Sequence, residues 1–398
     1  LCTVHNIPIT MAKKKLHKAS RVMPKSELDS VARSKSMGRN RAFEVLWEAQ
    51  QYWLAMETFR QDRERNKNYT YGRQWDDYIC VDGKMVKEED YIKSQGNVAL
   101  KNNLIRRMVQ AVLGVYRSQS KEPTCTARDR DEQKYGETMS TVLQCNMQLN
   151  RMTEINARCM EEFLISGFVV QRKWYGWRND KLDCWTDYVQ PNNFFIDNNM
   201  RDFRGWDVSC LGEVHDVSFE ELCERFAHNP ADYKRLADIY KDARDKNALG
   251  AAFESFGHPL QGYYDFLVPR DITRCRVIEV WRKESKPRYR CHDINNGDVF
   301  KIELEDYEEL VGSVNRERMR EAQELGMDES DVPLIQCEWF MDSYWYYYLL
   351  SPFGDILEEG ETPYEHKSHP YVFKAYPFID GEIHSFVSNV IDQQRYTN

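Results

Sequence analysis

Residues 62–107 read DRERNKNYTYGRQWDDYICVDGKMVKEEDYIKSQGNVALKNNLIRR. The stretch opens at the charged end of an amphipathic helix and turns through Tyr69, Tyr71, Gly72, Gln74 and Trp75. After a short acidic connection it leads into a second helix. Asn66, Asn68 and Gly72 tolerate the backbone angles of a compact turn, and the aromatic rings give that turn something to pack with. On physical grounds alone this is a surface loop anchored by Trp75.

Working outward, Ala42, Leu46, Ala49, Trp53 and Met56 share one helical face that fades at residues 62–68. A second helix is expected over 99–118, with Leu104, Met108, Ala111 and Val115 inward. Glu122-Pro123 then breaks the chain before a short strand at 124–128. From Tyr135 to Leu164 apolar residues recur at spacings of three and four, which predicts a single rod of about 44 Å at 1.5 Å per residue, ended by Gly167. Strands follow at 168–174 and 183–189. Ser218 and Glu221 form a capping box, Asn229-Pro230 interrupts the helix, and another helix runs over 231–245. Residues 247–262 read as an irregular connection.

Residues 275–283 and 289–292 predict two strands, and Asn296-Gly297 a hairpin leading to 299–304. A strongly acidic helix spans 305–325 with Gly326 as its cap. It is followed by the aromatic-rich strand 335–350, which turns at 351–355. Tyr344–Tyr348 have no interleaved basic residues, so a packed or intersubunit sheet fits better than base stacking. A last helix is expected to start near Gly381, with Phe386, Val387, Val390 and Ile391 apolar. It stops without a glycine cap, which reads as a chain that continues.

The chain has 398 residues, with 41% hydrophobic and 30% charged. Its mean hydropathy of −0.72 suits an elongated or multimeric subunit. The 11 cysteines form no C-x-x-C pair, which argues against a disulfide framework or structural zinc and for reduced thiols from a cytoplasmic folding environment. No apolar run is long enough for a transmembrane helix, so no membrane partner is expected. Met11-Ala-Lys-Lys-Lys reads as a translation start, making the first ten residues an upstream extension.

Net charge is −9, yet residues 13–41 are strongly basic. Lys13, Lys14, Lys15, Lys18, Arg21, Lys25, Arg33, Lys35, Arg39 and Arg41 face only Glu27 and Asp29. This reads as a mobile arm on nucleic acid or an acidic neighbouring subunit, with Lys13, Lys14, Lys15, Lys18, Arg21, Arg39 and Arg41 as contacts. Asp197, Asp202 and Asp207 after a strand offer a possible divalent-metal nuclease site, and His366 and His369 a weaker metal pair. There is no phosphate loop, nucleophile elbow or zincin motif, and no cofactor is implied. The competing readings from chemistry are thus a metal-dependent DNA-processing nuclease and a nucleic-acid-binding module acting through the arm.

The order of motifs carries a resemblance. Arg63, Arg65 and Asn66, then Tyr69, Thr70, Gly72, Gln74 and Trp75, then Gln95-Gly96 and Asn102-Asn103 resemble the N-terminal signature of portal proteins. These are the head-to-tail connectors of tailed double-stranded DNA bacteriophages, here of the short-tailed type. Gln394 and Asn398, in the closing Asp-x-Gln-Arg-x-x-Asn run, extend the likeness to the last residues. It implies an α+β portal fold with a wing, a helical stem and a small α/β clip, and no catalytic residue. By likeness 1–41 is the arm, 42–262 the wing, 263–375 the stem and clip, and 376–398 the start of a second stem helix ahead of a crown missing here. The implied partners are further copies in a ring (usually twelvefold in the family), double-stranded DNA, the terminase packaging motor, head-tail adaptor and tail proteins, and major capsid or scaffolding protein. The implied location is the capsid vertex of a virion assembled in the host cytoplasm. Glu317, Glu321 and Glu324 would face the channel or the motor-docking rim.

Overall fold

The computed structural model describes residues 41–119, 122–202, 204–240, 265–269, 271, 273–326, 332–375, 378–379 and 382–397. The arm up to Arg39, the connection at 247–262 and Asn398 lie outside the described residues. The architecture is mixed helix and sheet, as the patterning predicts.

The amphipathic stripe of α1 (41–55) is buried as expected: Ala42, Val45, Leu46, Ala49 and Trp53 enter the largest core. Trp53 meets the edge of Phe195 at 6.5 Å and packs on Phe266 at 5.6 Å. The chain continues directly into α2 (Glu57–Thr70), followed by the ribbon β1 (Tyr78–Val81) and β2 (Lys84–Lys87) and the helix α3 (Glu88–Ser94).

Next comes α4 (Leu104–Ser118), which starts later than the patterning suggests and buries a different face. Ile105, Val109 and Leu113 point inward, whereas Met108 and Val115 are exposed. Both sides are apolar, so periodicity alone cannot choose between them. Residues 124–128 form no strand.

The expected single rod is two helices, α5 (Gln133–Leu149) and α6 (Met152–Ser166). Arg151 between them sits in the left-handed region at φ 49°. Asn150 causes the break. Its amide donates to the Cys184 carbonyl at 2.9 Å, and its oxygen accepts from the Thr186 amide at 2.9 Å, pinning the junction to a strand. Each face of the split has its own fate: Met152 and Cys159 of α6 are buried, whereas α5 buries nothing.

That strand is β4 (Lys181–Val189), paired with β3 (Phe168–Arg178). Both strands run longer than expected, because Asn179-Asp180 alone closes the turn with both residues at positive φ. On the far side of β3 lies β11 (Tyr371–Ala375), which completes a three-stranded antiparallel sheet.

The main sheet runs β10-β9-β7-β6-β5, from β5 (Phe194–Ile196), β6 (Cys210–Val217), β7 (Cys275–Asp293), β9 (Ile335–Leu350) and β10 (Ile356–Glu361). It thus draws strands from both sides of residue 262. Between β6 and β7 come α7 (Phe219–Phe226), which begins with the expected Ser218–Glu221 capping box, and α8, helical over 230–240. Here β7 is one strand of 19 residues rather than two. Pro287 suggests a break, but it falls between Arg282, the last partner of β6, and Arg288, the first partner of β8 (Val299–Glu303). Among the described residues no strand pairs with that edge of β7 there, and a residue without an N–H is tolerated.

The aromatic run packs as a sheet. Tyr348 is fully buried, and Tyr347 lies 5.3 Å from Trp281 on the neighbouring strand. The two sheets are joined by a buried ionic cluster that no motif announces. Glu279 accepts from Arg172 at 3.0 Å, from Trp281 at 2.7 Å, and lies 2.8 Å from His215. Burial alone would raise the Glu279 carboxyl, but Arg172 and His215 outweigh it and hold it well below the usual range.

Toward the C-terminus β12 (Phe378–Ile379) pairs with β13 (Glu382–Ile383), so the last helix does not begin at Gly381. Ser385 and Ser388 exchange hydroxyl–amide bonds at 2.9 and 3.1 Å, and α10 spans only Ile391–Thr397. Of the four apolar residues expected there, Val387 and Ile391 are buried, whereas Phe386 is exposed.

Two glycines give opposite predictions. A Cβ on Gly212 in β6 would lie 2.1 Å from the Glu279 carbonyl and 2.4 Å from the Phe195 ring, whereas one on Gly114 in α4 meets nothing. Gly212→Ala should therefore cost about 1–3 kcal/mol or more, and Gly114→Ala should stabilise by up to about 1 kcal/mol. Denaturant unfolding of both variants checks this; equal midpoints would contradict the packing.

Candidate functional site

The residues singled out at 62–107 converge with the last helix, 289 to 326 positions away. Although α2 loses its apolar stripe at 62–68, it does not end there, and Asn66 and Asn68 are helical rather than turn residues. The polar side chains are what it buries. Arg60 is fully buried, lies over the Trp53 ring at 4.1 Å and donates to the Trp53 carbonyl. Arg63 makes a two-pronged pair with Glu162 of α6 at 2.6 and 2.8 Å, and Tyr188 donates to the same carboxylate. Asn66 donates to the Ile165 carbonyl at 3.0 Å and to the Ser385 hydroxyl at 2.9 Å. The charge-assisted Arg63–Glu162 pair and the Asn66 bonds replace the apolar stripe as the packing face of the helix.

Beyond Thr70 the turn forms as expected, with Gly72 at φ 80°. Asn103 donates to the Thr70 carbonyl at 2.9 Å, while its oxygen caps α4 by accepting from the Arg106 amide. Gln74 and Trp75 both donate to the Leu100 carbonyl, at 2.8 and 2.7 Å. Gln394 completes the joint. Its oxygen accepts from the Leu104 and Ile105 amides at 2.8 and 3.3 Å, and its nitrogen donates to the Asn102 carbonyl. Next to it, Arg395 donates to the Tyr69 hydroxyl at 2.7 Å and to Glu88, and lies over Trp75 at 5.7 Å. Beneath these polar bonds is an apolar floor of Tyr69, Ile105, Val109, Leu164, Val387 and Ile391. The backbone is close here too: Gly167, at φ 75°, would place a Cβ 2.4 Å from the His384 carbonyl.

Not every signature residue joins this cluster. Gln95 and Gly96 cap the exposed end of α3, with Gly96 at φ 77°. Partners the sequence reading missed are Glu162, Glu88 and Ser385, whereas Arg395 stood in the closing motif without an assigned partner.

Arg41 belongs to α1 and is engaged within the chain. It pairs with Glu284 at 2.6 Å and lies over Tyr346 and Tyr348, so it reaches the main sheet. The expected acidic helix opens with a π turn (Glu308–Gly312) and continues as α9 (Ser313–Glu324). Glu317, Glu321 and Glu324 are all exposed on it. Arg318 instead points inward to Asp293, with two bonds of 2.7 Å that hold that carboxyl at about 2. On the outer face the three glutamates share solvent with Arg316 and Arg320, which pair with Glu308 at 2.7 Å and Glu324 at 3.9 Å.

The three aspartates considered for metal are each taken up by protein donors. Asp197 is buried and accepts from the Ser209 hydroxyl and the Asn199 amide. Asp202 pairs with Arg204 at 3.0 Å, and Asp207 accepts from the Arg201 and Asp202 amides at 2.6 and 3.1 Å. His366 stacks on Tyr364 at 5.1 Å, and His369 meets the edge of Trp345 at 4.8 Å. Each imidazole Nδ1 accepts from a backbone amide, that of Ser368 and of Tyr371 respectively. Among the described residues no group of three or more His, Cys, Asp and Glu is arranged to hold a metal ion.

Two measurements test these assignments. Gln394→Leu strips partners from two amides and a carbonyl, so it should cost about 2–4 kcal/mol in denaturant unfolding. Gln394→Glu, which keeps the acceptor and loses the donor, should fall between. Burial pushes the His369 imidazole from 6.5 down to about 4. The folded state thus binds this proton less readily than the unfolded chain. Its contribution to stability is complete above pH 6.5 and is lost as pH falls toward 4, by about 3 kcal/mol in all. His369→Asn, which keeps an acceptor for Tyr371 but cannot protonate, should flatten that part of the stability–pH curve; an unchanged slope would contradict the assignment.

A sequence-family model described as phage P22-like portal protein matches residues 48–398. No curated protein matches the chain. The matched span contains every element of the joint, from α2 to α10. With more than half of its length inside that match, this chain belongs to the P22-like phage portal proteins and is a structural head-tail connector protein of a bacteriophage.

Proposed function

We propose that the chain is the subunit of an oligomeric ring at one capsid vertex, forming the channel through which double-stranded DNA is packaged and ejected. Membership of the portal family over residues 48–398 is the observation that carries this reading. In it the ring docks the terminase motor during packaging and the adaptor and tail proteins afterwards. Major capsid or scaffolding protein surrounds it. The basic arm ahead of Arg41 lies on DNA or on a neighbouring subunit; the pairing of β6 with β7 carries the wing across residue 262, the stem and clip lie within 263–375, and 376–398 opens a second stem helix.

Exposure supports self-association. No residue of α5 is buried in the isolated chain, yet Tyr135, Met139 and Val142 make an apolar stripe on it. The discarded face of α4, with Met108 and Val115, is likewise exposed. Surfaces of this kind become cores when subunits meet.

Charge supports the channel. DNA must slide past the wall without sticking, and a negative face repels phosphates over a Debye length of about 8 Å at physiological salt. Glu317, Glu321 and Glu324 offer such a face at the channel or at the motor-docking rim.

Full-length protein should assemble into rings without added metal or nucleotide, as mass photometry would record; monomers at every concentration would overturn the reading. Replacing Glu317, Glu321 and Glu324 together by Lys should slow packaging or trap DNA while the rings persist. Normal packaging by that variant would remove the acidic face from the mechanism.

A further inference from the structure

The outer end of the β7–β9 ribbon brings two thiols together. Cys291 and Cys337 are 46 positions apart in the chain, yet they are direct partners in the antiparallel register with sulfurs 2.8 Å apart. Directly opposed residues on such strands have Cα atoms about 4.5–5.5 Å apart. That lies inside the span a disulfide bridges. Cys291 is fully buried and Cys337 partly buried. Around them Ile302, Val311 and Ile335 form a small separate core, with Val314 of α9 packed against it. Arg318–Asp293 and the paired bonds of the Asn315 amide with the Ile335 backbone hold α9 to the same strands.

We propose that Cys291 and Cys337 form a reversible cross-strand disulfide that staples the ribbon beneath the acidic helix. The oxidant is a low-molecular-weight disulfide such as oxidised glutathione. Cys337, the accessible thiol, loses its proton and attacks one sulfur of the oxidant, and the other half leaves as a thiolate. Cys291 then loses its proton and attacks the Cys337 sulfur, releasing the second half. Two protein thiols give up two protons and two electrons, and one small disulfide becomes two thiols. Burial raises the Cys291 thiol, which slows the second step. The bond would enclose residues 292–336, which carry β8 and α9, in a covalent loop. The staple stands apart from the ring reading, because it needs only the geometry of one chain.

The test uses the full chain in its native state, incubated with oxidised glutathione in mildly alkaline buffer. Acid quenching, alkylation of free thiols, digestion and mass spectrometry then follow. The expected product is one Cys291–Cys337 peptide pair, lighter than the two reduced peptides by two hydrogen atoms and reopened by dithiothreitol. Hydrogen exchange over residues 299–324 should slow in the oxidised protein. Alkylation of both cysteines, or glutathione retained on Cys337 without closure, would overturn the proposal. So would equal yield of the pair from urea-unfolded chain, since the fold would then contribute nothing. The measurement is made on the unaltered sequence, so it stands even where Cys337→Ser fails to fold; where that variant folds, Cys291 should stay reduced.

Discussion

Gln394 closes a gap that every helix start presents. The first amides of a helix have no partner within it, and burying them bare is costly. In α4 two of those amides, Leu104 and Ile105, are satisfied by the side chain of a residue at the other end of the described chain. Asn103 supplies the cap for a third. Neither helix start nor closing segment is complete without the other. The same joint orders the 69–75 turn, because Arg395 holds Tyr69 and Glu88 at once.

Polar burial of this kind gives uniqueness more than net stability. A buried ion pair such as Arg63–Glu162 roughly balances its own desolvation, but removing one partner is heavily penalised. Directional bonds also admit one register, whereas an apolar face accepts several. The floor of Ile105, Val109, Leu164 and Ile391 supplies the area, and the ring of polar bonds selects the arrangement. A subunit of a symmetric ring gains from this, since each copy must present the same surfaces to its neighbours.

The main sheet has a different organisation. Its inner half packs under α1 and the aromatic cluster, whereas its outer half carries β8, α9 and a small core of its own. The long strands β7 and β9 run through both, and the acidic helix packs against their outer end. Along it Arg288 bridges Glu303 and Asp342 and Arg318 faces inward, while the glutamates of α9 face solvent beside Arg316 and Arg320.

Much of this was legible in the residues alone. Strong local signals held: the α1 stripe, the Ser218 capping box, the Gly72 turn and the aromatic strand 335–350. The resemblance carried by Tyr69–Trp75 and Gln394 led to the family that the matched span supports. What failed did so where distant partners overrule local pattern. Asn150 breaks a helix only because β4 offers it a carbonyl and an amide. Pro287 sits inside a strand where, among the described residues, that edge has no strand partner. On α4 both faces are apolar, and the choice between them depends on where α6 and α10 lie. On α2 the buried face is made of arginine and asparagine, which looks like solvent-exposed surface until Glu162 and Ser385 arrive. Sequence by itself determined the elements whose information lies within a few residues, because turns, caps and periodicity act at that range. Tertiary structure alone decided which polar side chains are buried and which thiols meet, because those outcomes depend on groups that the chain brings from afar.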